Sequence, residues 1–161
     1  MNTEKLYDLD AYETEFDATA LTCEKENDLY KVTLDKTLFF PEEGGQSADK
    51  GTLDGKEVLN VSVKDDVIFH YLKEPVEPLQ NVHGKIDFDH RFRNMQMHSG
   101  EHIFSGLAYK KFNANNVGFH LSDNSATIDL DKEISDEDLK KLELWVNTVI
   151  FENRSVLTYY P

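Results

Sequence analysis

The chain has 161 residues, of which 39% are hydrophobic, and its 31 acidic and 17 basic residues give a formal net charge of −14. This length accommodates one ordinary domain or two small ones. The charge argues against indiscriminate binding to nucleic acid, and no apolar run approaches the roughly 18 residues of a transmembrane helix, which excludes a membrane partner.

The N-terminus and the cysteine content predict a cytoplasmic protein. Residues 1–6 lack the charged segment and the apolar run of a secretory signal. Cys23 is the only cysteine, so an intrachain disulfide is impossible, and this usage is typical of a reducing cytosol. We expect Cys23 to be a small, buried strand residue.

Residues 16–88 are predicted to form short β-strands. Two apolar runs flank a polar turn at residues 26–28. Asp54-Gly55 separates two further runs and indicates a two-residue hairpin, because a type I′ turn needs positive φ at both central positions. Strands at this spacing are typical of a small antiparallel barrel. We therefore expect an N-terminal β-barrel domain over residues 1–88.

The segment 89–161 is predicted to form a second domain of mixed α+β structure. Its apolar residues recur at helical spacing in two places, separated by two strand-like runs. Ser135 is a typical N-cap residue, because its hydroxyl can accept a bond from a free backbone N–H of the first helical turn. The expected elements are a helix over 94–112, strands over 117–121 and 126–130 joined at Ser122-Asp123-Asn124, and a helix that begins after Ser135.

His98 and His102 carry the clearest chemical signal of this segment. Their spacing of four residues places both imidazoles on one face of a helix, about one turn apart. Neutral imidazole is a good zinc ligand, and two imidazoles on one turn supply half of a tetrahedral site. The sequence therefore predicts a metal site here, with a pair of partly exposed helix histidines as the simpler alternative.

The surroundings of the histidine pair are less acidic than the rest of the chain. Residues 83–111 carry five basic and three acidic side chains. Arg91 and Arg93 precede the predicted helix and are candidates to contact phosphates, although solvated surface charge explains them equally well. A polyanion that binds this chain is expected to bind here.

Three segments, in order, resemble the freestanding AlaX-type alanyl-tRNA editing proteins, which are related to the editing domain of alanyl-tRNA synthetase. The run KTLFFPEEGGQSADKG at residues 36–51 looks like the family's glycine-rich motif. Residues 93–102 resemble its metal-binding helix with the pattern H-x-x-x-H, and residues 118–130 resemble the strand pair that follows. Residues 152–154 are similar to a later turn of the family. The resemblance covers nearly the whole chain.

The resemblance implies a fold and an activity. The fold is α+β, a small antiparallel β-barrel followed by the first part of an editing domain of the threonyl- and alanyl-tRNA synthetase type. The activity is zinc-dependent hydrolysis of the ester that joins serine or glycine to the tRNA for alanine. Such editing protects translation fidelity, because a pocket for alanine discriminates against similar amino acids by only ~1–3 kcal/mol.

The resemblance also suggests roles for individual residues. His98 and His102 are the expected zinc ligands, and Glu101 is expected to orient the attacking water. Arg91 and Arg93 are the expected tRNA contacts. Each assignment has an ordinary structural alternative, such as a loop that needs positive φ. The residues expected to contact the aminoacyl end are Thr37, Gly44, Gly45, Gln46, Asn116 and His120.

One part of the family pattern does not occur in this sequence. In the family, a downstream Cys-x-x-x-His segment completes the zinc site, whereas no cysteine or histidine follows His120 here. Cys23 lies in a predicted barrel strand and does not correspond to that ligand. Two of the four expected ligands are present, so we expect the N-terminal portion of an editing enzyme that holds zinc weakly by itself.

Two other functions stay open at this stage. Residues 98–102 also match H-x-x-E-H, the inverted zinc-peptidase signature, with Glu101 as the general base. Alternatively, a chain with half of a metal site is a non-catalytic module that binds tRNA or a partner chain. Apolar surface on the second helix, around Trp145 and Val149, is further predicted to mediate self-association.

Overall fold

The computed structural model describes residues 2–122 and 125–157, and its content is mixed α/β. It divides into two compact units, one up to Asn94 and one from Met95 onward. Among the described residues, no helix has the length and apolarity needed to cross a bilayer.

The first unit contains a short 3-10 helix (Leu6–Asp8) and the strands β1 (Glu4–Lys5), β2 (Glu15–Glu26), β3 (Leu29–Leu34), β4 (Lys36–Thr37), β5 (Gly51–Leu53), β6 (Lys56–Lys64), β7 (Val67–Leu72) and β8 (Asn81–Ile86).

Six of these strands form an antiparallel sheet that closes on itself. Their order is β2-β3-β7-β6-β5-β8, and β8 in turn pairs with β2. Side chains alternate between half-buried and buried along β7 and between exposed and buried along β8, because successive residues of a strand face opposite sides. Cys23 lies in β2 as predicted but is half-buried. The core is filled by apolar side chains that include Phe16, Val32, Leu34, Phe39, Leu53, Val61, Ile68 and Leu72.

Two-residue turns set the register of two hairpins in this sheet. Asp54 and Gly55 join β5 to β6 with φ of 48° and 76°, which confirms the predicted turn. Asp65 and Asp66 join β6 to β7 in the same way, with φ of 51° and 59°. Aspartate is tolerated in this left-handed region better than most residues, because its short polar side chain bonds locally. These turns therefore follow directly from local sequence.

Helix α1 (Phe88–Phe112) begins six residues before the predicted start at residue 94. The prediction that the strand continues to Phe88 is wrong. The Asp87 carboxylate accepts a bond from the His90 N–H at 3.1 Å, and the Asp87 carbonyl accepts from Arg91 N–H at 3.0 Å. Asp87 is thus an N-cap, and it starts the helix directly after β8.

The second unit combines the rest of α1 with β9 (Asn116–Leu121), β10 (Ala126–Leu130) and α2 (Asp136–Phe151). β9 and β10 form the predicted antiparallel pair, while Asp123 and Asn124 of the predicted turn lie outside the described residues. Ser135 caps α2 as predicted, since its hydroxyl accepts from the Asp138 N–H at 3.3 Å. A second core is built from Ala108, Ala114 and Leu142, with Phe104, Leu107, Phe112, Leu130, Ile134, Trp145 and Val146 packed against it.

Candidate metal-binding site

Two imidazoles of α1 converge at one point of the second unit. His98 and His102 approach through their Nε2 atoms, which lie 3.1 Å apart, and their ring centroids are 4.8 Å apart. Helical spacing produces this arrangement, because residues four apart stack on one face. With Glu101, they form a group whose ligand atoms all lie within 4.8 Å of one another.

Glu101 is the buried member of this group. Its side chain is 5% exposed, against 72% for His102, and its Oε2 lies 3.3 Å from Nδ1 of His102. Oε1 accepts a hydrogen bond from Nδ2 of Asn116 at 2.6 Å and another from the Ser105 hydroxyl. The carboxylate is therefore directed to the rear of the His102 ring, on the side away from Nε2.

The environment of His98 favours its neutral form. Partial burial lowers the pKa of His98, the neighbouring His102 lowers it further, and Glu101 opposes both. The ring also stacks on Phe119 of β9, with centroids 5.9 Å apart. A neutral imidazole with a fixed ring plane is the state that binds a metal ion.

The donor set fits zinc. Two imidazole nitrogens bound at about 2.0–2.1 Å in tetrahedral geometry lie about 3.4 Å apart. The observed separation of 3.1 Å between the two Nε2 atoms is close to that value. A carboxylate behind one ligating histidine is also a common feature of zinc sites. His98 and His102 are therefore the residues that would hold the ion, with further positions left for other ligands or substrate.

Comparison with known proteins gives the family. Alanyl-tRNA editing protein AlaX-M of Methanosarcina barkeri is 32% identical over 169 residues, which cover 98% of this chain and 68% of that protein. The chain belongs to the alanyl-tRNA editing family. AlaX-L of Pyrococcus horikoshii is 33% identical over 96% of this chain, and the alanine–tRNA ligase of Pyrococcus furiosus is 37% identical over 96%. The chain spans 40% and 18% of the length of these two relatives, and no protein-family model matches it.

The glycine-rich run at residues 36–51 contains a tight turn in the first unit. Gly44 and Gly45 have φ of 61° and 84°, and the backbones of Glu43 and Gln46 exchange hydrogen bonds of 3.3 and 3.0 Å across them. Positive φ at both central positions is the requirement of a type I′ turn. Gln46 itself is 9% exposed. Contact of this turn with an aminoacyl group stays a prediction.

Thr37 lies at the entrance to the same motif and is completely buried. Nδ1 of His70 lies 3.3 Å from the Val32 carbonyl, which only accepts, so the proton is on Nδ1. The Thr37 hydroxyl therefore donates to Nε2 of His70 at 2.9 Å, and it accepts from the Phe39 N–H at 3.1 Å. The polar atoms of Thr37 thus connect the motif to the interior of the first unit.

Arg91 corrects a sequence expectation. The sequence predicted a surface residue, either a phosphate contact or a solvated charge. In the structure, the side chain of Arg91 is only 4% exposed. Nε donates to Oδ1 of Asp49 at 2.8 Å, Nη2 donates to Oδ2 of Asp49, and Nη1 donates to the Ala11 carbonyl at 3.0 Å. Such a guanidinium is not available to a phosphate. Arg93, by contrast, is exposed.

The two predicted residues of β9 have different surroundings. Asn116 donates to Glu101, whereas His120 is exposed and follows Phe119, so it faces the other side of the strand. Sequence reasoning gave no role to Phe119 or to the Ser105 hydroxyl. Ser105 follows Glu101 by four residues, and this helical spacing could have indicated the hydrogen bond between their side chains.

Proposed function

We propose that His98 and His102 of this chain are ligands of a zinc-dependent editing site that hydrolyses tRNA for alanine mischarged with serine or glycine. Membership of the alanyl-tRNA editing family supports the reaction class. The observation that carries the metal role is the convergence of the His98 and His102 Nε2 atoms at 3.1 Å. A cytoplasmic location is part of the proposal, since aminoacyl-tRNA is used there.

The chemistry required is cleavage of an ester between an amino acid and a ribose hydroxyl. A zinc ion held by His98 and His102 would polarise the ester carbonyl or the attacking water. The chain's own contribution is to favour the neutral form of His98 and to orient both imidazoles. Phe119 covers one face of the His98 ring and fixes its plane. Glu101 and its partners sit behind His102.

The tRNA contact is expected at exposed basic residues of α1. Arg93 lies near the start of the helix, and Lys110 and Lys111 lie in its last turn. The chain is otherwise acidic, so these positive charges are the ones that attract phosphates. The contribution of each such contact to the binding of tRNA falls with added salt. Arg91 is excluded from this set by its burial.

The peptidase alternative fits the geometry less well. A general base must reach a water bound on the ligand side of the histidines. Glu101 instead directs one oxygen to Nδ1 of His102 and bonds the other to Ser105 and Asn116. The family comparison also favours editing, because two of the relatives are named alanyl-tRNA editing proteins.

Hydrolysis of seryl-tRNA for alanine by the purified chain in the presence of zinc tests this proposal. We expect release of serine by the wild type, and loss of that release in His98→Ala and His102→Ala. His83→Ala is the matched control, because His83 is an exposed histidine of the first unit.

Each other outcome has a definite meaning. Hydrolysis that survives both histidine substitutions contradicts the metal mechanism. Binding of the tRNA without hydrolysis supports the non-catalytic module. Cleavage of peptides, abolished by Glu101→Gln with zinc still bound, supports the peptidase.

A further inference from the structure

Glu101 is held in one orientation by two neighbours. Its Oε1 accepts from Nδ2 of Asn116 at 2.6 Å and from the Ser105 hydroxyl. Asn116 Nδ2 also lies 3.2 Å from the Ser105 oxygen, so the three side chains form a closed set. Since Oε1 is fully used, the direction of Oε2 is fixed as well.

The orientation of Asn116 is itself determined by the backbone. Its Oδ1 accepts from the Gly118 N–H at 2.9 Å. The amide has one acceptor and one donor end, so this bond turns the NH₂ group toward Glu101. The start of β9 thus sets the position of a carboxylate on α1.

The free oxygen of Glu101 faces one ring nitrogen of His102. Oε2 lies 3.3 Å from Nδ1, while Nε2 of the same ring lies 3.1 Å from Nε2 of His98. A carboxylate oxygen at that distance favours a proton on Nδ1 and repels a lone pair there. The lone pair of a neutral His102 is then on Nε2, where it is needed to bind a metal ion.

We propose that Glu101, anchored by Ser105 and Asn116, is a positioning residue that selects the metal-binding tautomer of His102. The inference rests on the proposed function in one respect, namely that His98 and His102 hold zinc. It assigns Glu101 a task different from the orientation of the attacking water. Ser105 and Asn116 act only through Glu101, and neither is expected to touch zinc.

Two measurements on the 161-residue chain test the proposal. The first is ¹⁵N NMR of the histidine side chains without metal, with the His102 signals assigned by their loss in His102→Gln. Wild-type His102 is expected to carry its proton on Nδ1. Glu101→Gln is expected to reverse this, because the amide oxygen keeps its bonds to Ser105 and Asn116 while the amide nitrogen donates to Nδ1.

The second measurement is zinc affinity, obtained by competition with a chromophoric chelator. Loss of a carboxylate behind a ligating histidine weakens metal binding by about 10–100-fold, and we expect this for Glu101→Gln. Ser105→Ala and Asn116→Ala are expected to weaken zinc in the same direction, and Ser105→Thr is expected to restore the affinity because it keeps the hydroxyl. Ser99→Ala is the matched control, since Ser99 is an exposed serine of the same helix.

The outcomes separate this proposal from the proposed function. A wild-type His102 with its proton on Nε2, or an unchanged tautomer and zinc affinity in Glu101→Gln, overturns the positioning role. If Glu101→Gln does not fold, Ser105→Ala decides by the same two readouts. If the tautomer and the affinity change as expected while the wild type does not hydrolyse seryl-tRNA, the positioning role stands and the editing function fails.

Discussion

Arg91 and Asp49 form a bidentate ion pair in the interior of the first unit, with Arg91 Nε 2.8 Å from Oδ1 of Asp49. Arg91 belongs to α1, and Asp49 belongs to the segment that follows the glycine-rich turn. Asp49 also accepts from the Phe40 N–H at 2.6 Å. The pair therefore fixes the start of the helix to the loop that contains the glycine-rich turn.

Removal of Arg91 is expected to destabilise the protein strongly. Arg91→Ala leaves the buried Asp49 carboxylate without its counter-ion, a change that costs about 3–5 kcal/mol. Urea denaturation measures this cost, and Arg93→Ala serves as the control because Arg93 is exposed. A loss below about 1 kcal/mol in Arg91→Ala, comparable to the usual effect of surface substitutions, is incompatible with the buried pair.

His70 is expected to make stability depend on pH. Complete burial lowers the pKa of His70 from 6.5 to about 4. The unfolded chain therefore takes up a proton at higher pH than the folded one, so this stability is present above pH 6.5 and is lost as the pH falls toward 4. The expected loss is about 2 kcal/mol between pH 7 and pH 5 and about 3 kcal/mol in full.

A comparison of variants isolates the His70 contribution. Urea denaturation at pH 7 and pH 5 is measured for the wild type, for His70→Gln and for His83→Gln, an exposed histidine. His70→Gln is expected to be less stable at pH 7 but to lose about 2 kcal/mol less than the wild type on acidification. Equal pH dependence in all three proteins contradicts a neutral, buried His70.

A side chain at Gly44 is expected to cause no steric clash but to strain the backbone of the glycine-rich turn. A Cβ added to Gly44 meets no atom within 4 Å, yet the φ of 61° is in the left-handed region. Gly44→Ala is therefore expected to cost about 1 kcal/mol in the free energy of unfolding, and Gly44→Asn less, because Asn adopts this region more readily. Chemical denaturation measures the free energy of unfolding, which is expected to decrease from the wild type to Gly44→Asn to Gly44→Ala. An alanine variant as stable as the wild type refutes this order.

The exposed face of α2 is predicted to mediate self-association. The sequence pointed to Trp145 and Val149, but Trp145 packs against the second core and Phe112. The large apolar side chains that α2 exposes most are Leu144 at 67%, Ile150 at 52% and Phe151 at 91%. Light scattering at high concentration is expected to show smaller species after Leu144→Gln and Phe151→Gln, with Lys140→Gln as the control. A wild type that is already monomeric counts against the prediction.

Local signals explain what the sequence could predict. The Asp54-Gly55 turn and the Ser135 cap each depend on a few adjacent residues, so their conformations follow from side-chain chemistry alone. The facing of His98 and His102 follows from helical periodicity. These features required no knowledge of the tertiary structure.

Contacts between distant segments explain what the sequence did not predict. The burial of Arg91 depends on Asp49, which is 42 residues away in the chain. The stacking of Phe119 on His98 and the bond from Asn116 to Glu101 depend on how β9 lies against α1. Helical spacing alone cannot show which strand supplies the partner of a side chain.

His98 and His102 are proposed to hold the zinc ion on which hydrolysis of mischarged tRNA depends. The most direct measurement is the rate of seryl-tRNA hydrolysis by the wild-type chain before chelation, after chelation and after the return of zinc. We expect loss of hydrolysis on chelation and its recovery with zinc in the wild type, with no recovery in His98→Ala. A rate that is unchanged by removal of the metal would contradict it.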